Sequence, residues 1–223
     1  MKRHLIILAA IVTLVTPSLC TAAPPRPGPY ASGFIGVSIP QNANVTGFDY
    51  FLGTSFDERV EFDPGINIGG TAGFDFGLIR LEGELSYKHG EIATISDRAG
   101  SYRYRNVDGT LGALAMMFNA FLDLHNSSPI TPYVGGGIGF AAMHLSDTFV
   151  QGDPLPIYQE DDDSVFAYQA GAGLDIALNQ RFSLDLGYRY FATSKARFGT
   201  NRDIATELTF QSHNAAVGFR VKF

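Results

Sequence analysis

The chain has 223 residues and a formal charge of −6, with 25 Gly, 18 Phe, 10 Tyr, one Cys and no Trp. The acidic balance disfavours nucleic acid as a partner, and one cysteine cannot build a disulfide framework. The first element is a leader. Met1-Lys2-Arg3-His4 is a short basic start, residues 5–15 are an apolar run, and Thr16-Pro17 precedes the small residues Thr21-Ala22-Ala23. Charge, apolar segment, helix breaker and small-residue site are the layout of a cleavable secretion signal over residues 1–22. The run is shorter than the roughly 20 residues a membrane helix needs. Cys20 could mark a lipoprotein, but Pro17-Ser18-Leu19 places no small residue directly before it. Cleavage removes Lys2 and Arg3 and no acid, so the mature residues 23–223 carry −8 and read as one domain.

Downstream, the signal is alternation with a period of two. Residues 30–39 form the first such segment. Residues 66–76 place Ile66, Ile68, Ala72, Phe74 and Phe76 on one face and Asn67, Thr71 and Asp75 on the other. Gly77-Leu78 turns the chain, and 79–88 returns with Ile79, Leu81, Leu85 and Tyr87 opposed to Arg80, Glu82, Glu84, Ser86 and Lys88. Further strands follow at 111–124, 133–143, 164–178, 182–190 and 210–223. Their connections alternate in length: 77–78, 125–131 and 179–181 are short, while 40–65, 89–106, 144–163 and 192–206 are long and polar. Eight strands of about ten residues, with short turns at one end and long loops at the other, predict an all-β, eight-stranded antiparallel up-and-down transmembrane β-barrel.

A secreted β-sandwich or lipocalin-like barrel would also alternate. It would, however, need large aliphatic residues inside and a Lys/Glu-rich surface. Here the polar face is Gly, Ser, Thr, Asn and opposed charges, suited to a crowded lumen. Tyr87, Phe140, Phe166, Tyr168, Phe182, Tyr188, Phe219 and Phe223 sit near strand ends on the apolar face, as interfacial girdles do. Glu82, Glu84, Asp175, Asp185, Arg80, Lys88, Arg189, Arg220 and Lys222 then face inward and are expected to pair. Eight strands leave an interior that side chains can fill, so no large pore is expected.

On these residues the chain resembles the OmpA-like, opacity-protein-type family of outer-membrane β-barrels. The resemblance rests on Arg80-Leu81-Glu82-Gly83-Glu84-Leu85-Ser86-Tyr87, Pro132-Tyr133-Val134-Gly135-Gly136-Gly137-Ile138-Gly139 and Ala170-Gly171-Ala172-Gly173-Leu174-Asp175. The terminal segment His213-Asn214-Ala215-Ala216-Val217-Gly218-Phe219-Arg220-Val221-Lys222-Phe223 is the strongest match. It implies a structural and surface-interaction role in the outer membrane, with adhesion or host contact through the loops. It also implies recognition of the last strand, ending in Phe223, by the outer-membrane assembly machinery. No peptidoglycan-binding domain follows Phe223, so wall anchoring is not implied.

The residues point to no cofactor, metal or enzyme chemistry. Ser212-His213 is the only Ser–His neighbour pair, and adjacent strand residues face opposite sides. His89, His125 and His144 have no catalytic motif around them. Gly135-Gly136-Gly137 lacks the Lys-Ser/Thr of a phosphate loop and reads as strand packing. Glu160-Asp161-Asp162-Asp163 lacks the spacing of a calcium loop and reads as a solvated segment. The second long loop (Arg98, Arg103, Arg105) and the fourth (Lys195, Arg197, Arg202) are basic. The first (Asp57, Glu58, Glu61, Asp63) and the third, with Asp153, are acidic. Basic loops are expected to contact lipopolysaccharide phosphates. A small-solute channel and a lipid-modifying enzyme are the alternative classes.

Overall fold

The computed structural model describes residues 27–50, 53–98, 101–105, 107–126, 128–150, 156–199 and 204–223. The leader, Cys20, Asp153 and Arg202 lie outside them. The strands are β1 (Gly28–Pro40), β2 (Ala43–Asp49), β3 (Thr54–Phe62), β4 (Gly65–Asp75), β5 (Ile79–Asp97), β6 (Arg103–Arg105), β7 (Val107–Asp108), β8 (Thr110–Asp123), β9 (Ile130–Leu145), β10 (Phe149–Val150), β11 (Asp161–Ala177), β12 (Phe182–Phe198) and β13 (Ile204–Lys222). Eight of them close a ring with antiparallel neighbours throughout: β1, β4, β5, β8, β9, β11, β12, β13 and back to β1. Closure leaves no sheet edge, which hydrocarbon demands because nothing there could pair with it.

Local chemistry sets the short turns. Gly77 adopts φ 97° between β4 and β5, with its N–H on Asp75 Oδ1 at 2.7 Å. Asn179 Oδ1 accepts the N–H groups of Arg181 (2.8 Å) and Phe182 (3.0 Å) between β11 and β12. Above these turns the outward face is apolar and exposed, including Ile35, Leu85, Phe118, Ile138 and Val217. Phe74–Phe76 and Phe182–Phe219 ring pairs mark its lower edge; Phe140–Phe166, Tyr87–His89 and Tyr188–His213 mark its upper edge. Residues 79–89 of β5 cross the whole band. At roughly 3.3 Å per residue and a tilt near ~40° they rise about 25 Å, the height of a transmembrane band.

Among the described residues, 40–65, 89–106 and 192–206 are strand for most of their length, while 144–163 is strand at its two ends and at β10 only. β1 continues into β2, and β3 into β4, with the β2–β3 hairpin paired to the upper ends of β13 and β5. β6 pairs with upper β5, and β7 with β10. The barrel wall therefore carries on beyond the upper girdle as a tower. The reading of 40–65, 89–106 and 192–206 as polar loops is corrected accordingly, and that of 144–163 only at its strand ends and at β10. The physical reason is a change of solvent outside the wall. Below the girdle, lipid surrounds the barrel and apolar side chains point out; above it, water surrounds the tower and apolar side chains point in. Val45, Val60, Ile92, Ile95, Leu111, Met143, Phe198, Leu208 and Phe210 form one buried cluster there. The lumen is thus polar in its lower part only, which corrects the expectation of small polar groups along the whole inward face.

Candidate functional site

The lower lumen is an ionic layer built from inward positions of every barrel strand except β1 and β9, whose inward Tyr30 and Tyr133 still join the network through their hydroxyls. Six carboxylates (Asp75, Glu82, Glu84, Asp123, Asp175, Asp185) meet five cations (Arg80, Lys88, Arg189, Arg220, Lys222). Lys222 Nζ lies 2.7 Å from Asp75, and Arg80 Nε 3.4 Å from Asp123. Arg220 bridges Asp175 and Asp185, the latter at 2.9 Å, and Arg189 bridges Glu84 and Glu82, the latter at 3.3 Å. All nine inward charges singled out from the sequence belong to this layer; Asp75 and Asp123 join them.

Neutral side chains complete it. Tyr30 donates to Glu82 at 2.5 Å and Tyr133 to Asp185 at 2.8 Å. Asn119 donates to Glu84 at 3.0 Å, and Gln169 donates to Glu84 at 2.8 Å. Burying such charges is costly unless their lone pairs and protons are satisfied. These amides and phenols bond Glu82, Glu84 and Asp185, whereas Asp123 Oδ1 and Arg80 Nε and Nη1 are buried without a hydrogen-bond partner. The guanidinium of Arg80 lies against the T-shaped ring pair of Phe121 (5.0 Å) and Tyr133 (4.7 Å). The inward glycines of β9 make the room: a methyl on Gly137 would stand 2.0 Å from Asn119 Oδ1, and one on Gly135 2.1 Å from the Ala120 carbonyl. The glycine triplet is strand packing. A cavity of about 20 Å³ beside Glu82, Asp185, Arg189 and Asn214 has room for about one water. Lys88, bonded to Ser86 Oγ at 2.7 Å with its Nζ 4.4 Å from the Phe191 ring centre, is the last charge before the apolar tower begins.

Inside the tower one ionisable acid, among the described residues, is buried with the apolar residues. Glu58 of β3 is 6 % exposed and accepts from the hydroxyls of Tyr102 and Tyr158, so three of the four outer connections meet on one carboxylate. Burial, then the neighbouring Glu58 charge, pushes the Tyr158 phenol up; burial and the bond to Glu58 do the same for Tyr102. The sequence groups Glu58 with Asp57, Glu61 and Asp63 of the acidic first loop, and no sequence feature separates it from them. Both tyrosines have raised values in the folded tower, so the clasp is fully present below the ordinary phenol range near ~10 and fades as pH rises above it. Glu58→Ala is expected to leave the membrane barrel heat-modifiable while speeding proteolytic cleavage of the tower several-fold; unchanged cleavage rates would refute the clasp.

On the tower's outside, the loops of opposite sign pair. Arg98 lies 3.0 Å from Asp57, and Arg103 2.9 Å from Glu61. Lys195 and Arg197 both reach Glu207, at 3.1 and 2.9 Å. The bond from Lys195, with Arg197 alongside, holds Glu207 below the usual carboxylate range. Asp161 and Asp163 accept the backbone N–H groups of Gly199 (2.6 Å) and Arg197 (2.7 Å), while Asp162 meets His144 at 2.7 Å. Asp161 and Asp163 therefore staple β11 to the β12 end above the last backbone pair, Ala167 with Thr193, while Glu160 and Asp162 stay exposed to solvent as the sequence reading expects.

Ser212 is fully buried in the lumen against Asn214, whereas His213 faces outward, stacked on Tyr188 with its Nδ1 2.6 Å from the Tyr188 hydroxyl. The two side chains are on opposite sides of the wall and cannot act as nucleophile and base. Ser212→Ala should leave the lipid A composition of an expressing strain unchanged by mass spectrometry; an altered acylation pattern would reopen the enzyme reading.

The comparisons agree with this geometry. Residues 6–223 match the family described as outer membrane protein beta-barrel domain. Outer membrane protein PagN of Salmonella typhimurium is 29% identical over 220 residues, covering 89% of this chain and 88% of the relative. Among solved structures, OprG from Pseudomonas aeruginosa aligns with a TM-score of 0.59 at 14% identity, covering 91% of this chain and 98% of its own. Neisserial surface protein A aligns at 0.52 and 18% identity, covering 88% and 97%. The chain belongs to the outer membrane β-barrel domain family and resides in the bacterial outer membrane.

Proposed function

We propose that the protein is a non-conducting barrel that stiffens the outer membrane and holds a rigid, charged tower at the cell surface for contact with envelope lipid and external ligands. The supporting observation is a lumen filled twice over, by the ionic layer below and by the apolar cluster around Phe198 and Phe210 above. An ion entering from below would have to replace buried pairs and then cross a dry, packed segment. The ordered tower supports surface contact because a ligand that binds it need not order loose loops first. Cations on the outer wall, Arg59 and Arg105 beside the paired Arg98 and Arg103, favour phosphates of the surrounding lipopolysaccharide. Phe223, the most exposed large apolar side chain among the described residues at 80 %, is our candidate signal to the assembly machinery. Planar-bilayer recordings of the refolded protein should give no stable large unitary currents; such currents would establish the channel reading instead.

A further inference from the structure

On the outer wall of the tower, β13 leaves β1 after the Ser212–Pro40 pair and rejoins the first hairpin at Glu207–Thr46. Between those pairs the β1–β2 chain takes one residue more than β13, and the wall opens into a groove of about 430 Å³. That is within the range of sites that hold small ligands. Its floor includes Ala43 and Leu208, and its polar lining is electrically balanced: amides of Asn44 and Gln211, the Arg98–Asp57 pair, and Lys195 held by Glu207. Paired cations are poor phosphate traps, since each phosphate must displace a carboxylate. Planar amides, carboxylates and a guanidinium set side by side instead offer alternating donors and acceptors, which match the vicinal hydroxyls of a sugar.

Height selects the source of the sugar. Gln41, at the foot of the groove, lies 2.8 Å from His213 Nε2 in the upper girdle. Gln211 and Glu207 sit two and six residues further up β13, roughly 5 Å and ~15 Å above the hydrocarbon edge at a tilt near ~40°. Asn44, Thr46 and Lys195 of its lining are exposed on the outer wall. We propose that it binds the core oligosaccharide of lipopolysaccharide in the protein's own leaflet, through sugar hydroxyls and not through phosphate. This rests on the membrane placement and surface role argued above; a conducting barrel would overturn that role without altering the outcome here.

The test titrates the detergent-refolded protein by calorimetry with core oligosaccharide released from a rough-type lipopolysaccharide, intact and dephosphorylated, with maltoheptaose as a control glycan. Both core forms are expected to bind saturably, maltoheptaose not to compete, and Asn44→Ala/Gln211→Ala to weaken binding about tenfold. Thr209→Trp, which fills the groove by a different change, should abolish it; heat-modifiability checks that each variant is folded. The proposal is overturned by no saturable binding, by binding of the phosphorylated form alone, by equal binding of maltoheptaose, or by folded variants that bind as the parent does.

Discussion

Arg189→Ala is expected to cost the barrel about 3–5 kcal/mol, among the largest effects of any single change in the membrane band. Arg189 is the shared partner of Glu82 and Glu84, both almost wholly buried. Removing it leaves two carboxylates in a low-dielectric lumen bonded chiefly by neutral side chains, among them Tyr30, Asn119 and Gln169. The penalty is chiefly the uncompensated charge and not a lost contact. Neutralising the acids together with the base should therefore restore most of it: Glu82→Gln/Glu84→Gln/Arg189→Met is predicted to unfold near the parent's denaturant midpoint. Tyrosine fluorescence during guanidinium unfolding in detergent measures both. If the single substitution were as stable as the parent, the ionic layer would be a surface-like, hydrated set of charges, and the lumen would not be dry.

The second large effect lies in the tower. Phe198 is 2 % exposed within the apolar cluster, and truncation to Ala should cost about 3–5 kcal/mol through lost burial and the cavity left behind. Its consequence should differ in place from that of Arg189→Ala. The membrane band keeps its girdles, ladder and ionic layer, so Phe198→Ala should still migrate as a heat-modifiable barrel while protease removes the segments above the girdle. Phe210→Ala, whose ring lies 6.3 Å from Phe191 at the junction of the two layers, should behave likewise but loosen the top of the band as well. Equal protease resistance of parent and variant would mean that the tower's order does not come from its apolar interior.

What the sequence disclosed, and what it hid, follows from the same change of solvent. Inside the membrane the alternation has a constant sense, so Ile66 to Phe76 and Ile79 to Lys88 could be read as strands with faces assigned. Above the girdle the sense reverses, and irregularities reset the parity: between Glu61 and Phe62 opposite β5, and between Ala192 and Lys195 opposite β13. A search for one persistent apolar face therefore ends at the girdle and leaves a polar remainder that looks like loop. β8 shows a second blind spot. Leu111, Ala113, Ala115 and Met117 point inward while Leu114, Met116 and Phe118 point outward, so both faces are apolar and the strand's two environments cannot be told apart. The charges of the lower lumen were legible because Arg and Glu in an otherwise apolar alternation have one place to go. Glu58 was not, since its burial depends on Tyr102 and Tyr158, distant residues carried by other connections. The same distance concealed the pairing of Arg98 with Asp57 and of Arg103 with Glu61, which turns loops of opposite sign into a nearly balanced wall.

The most direct test is a spin-label survey of the wall in vesicles, with one cysteine introduced at a time. Labels at positions 85, 118 and 217 should collide with dissolved oxygen and be shielded from an aqueous nickel chelate; those at 44 and 195 should show the opposite preference; those at 86 and 208 should meet neither reagent. Chelate access at 85, 118 and 217, or oxygen-rich collisions at 44 and 195, would mean that apolar side chains do not turn from lipid outside the band to packed interior within the tower.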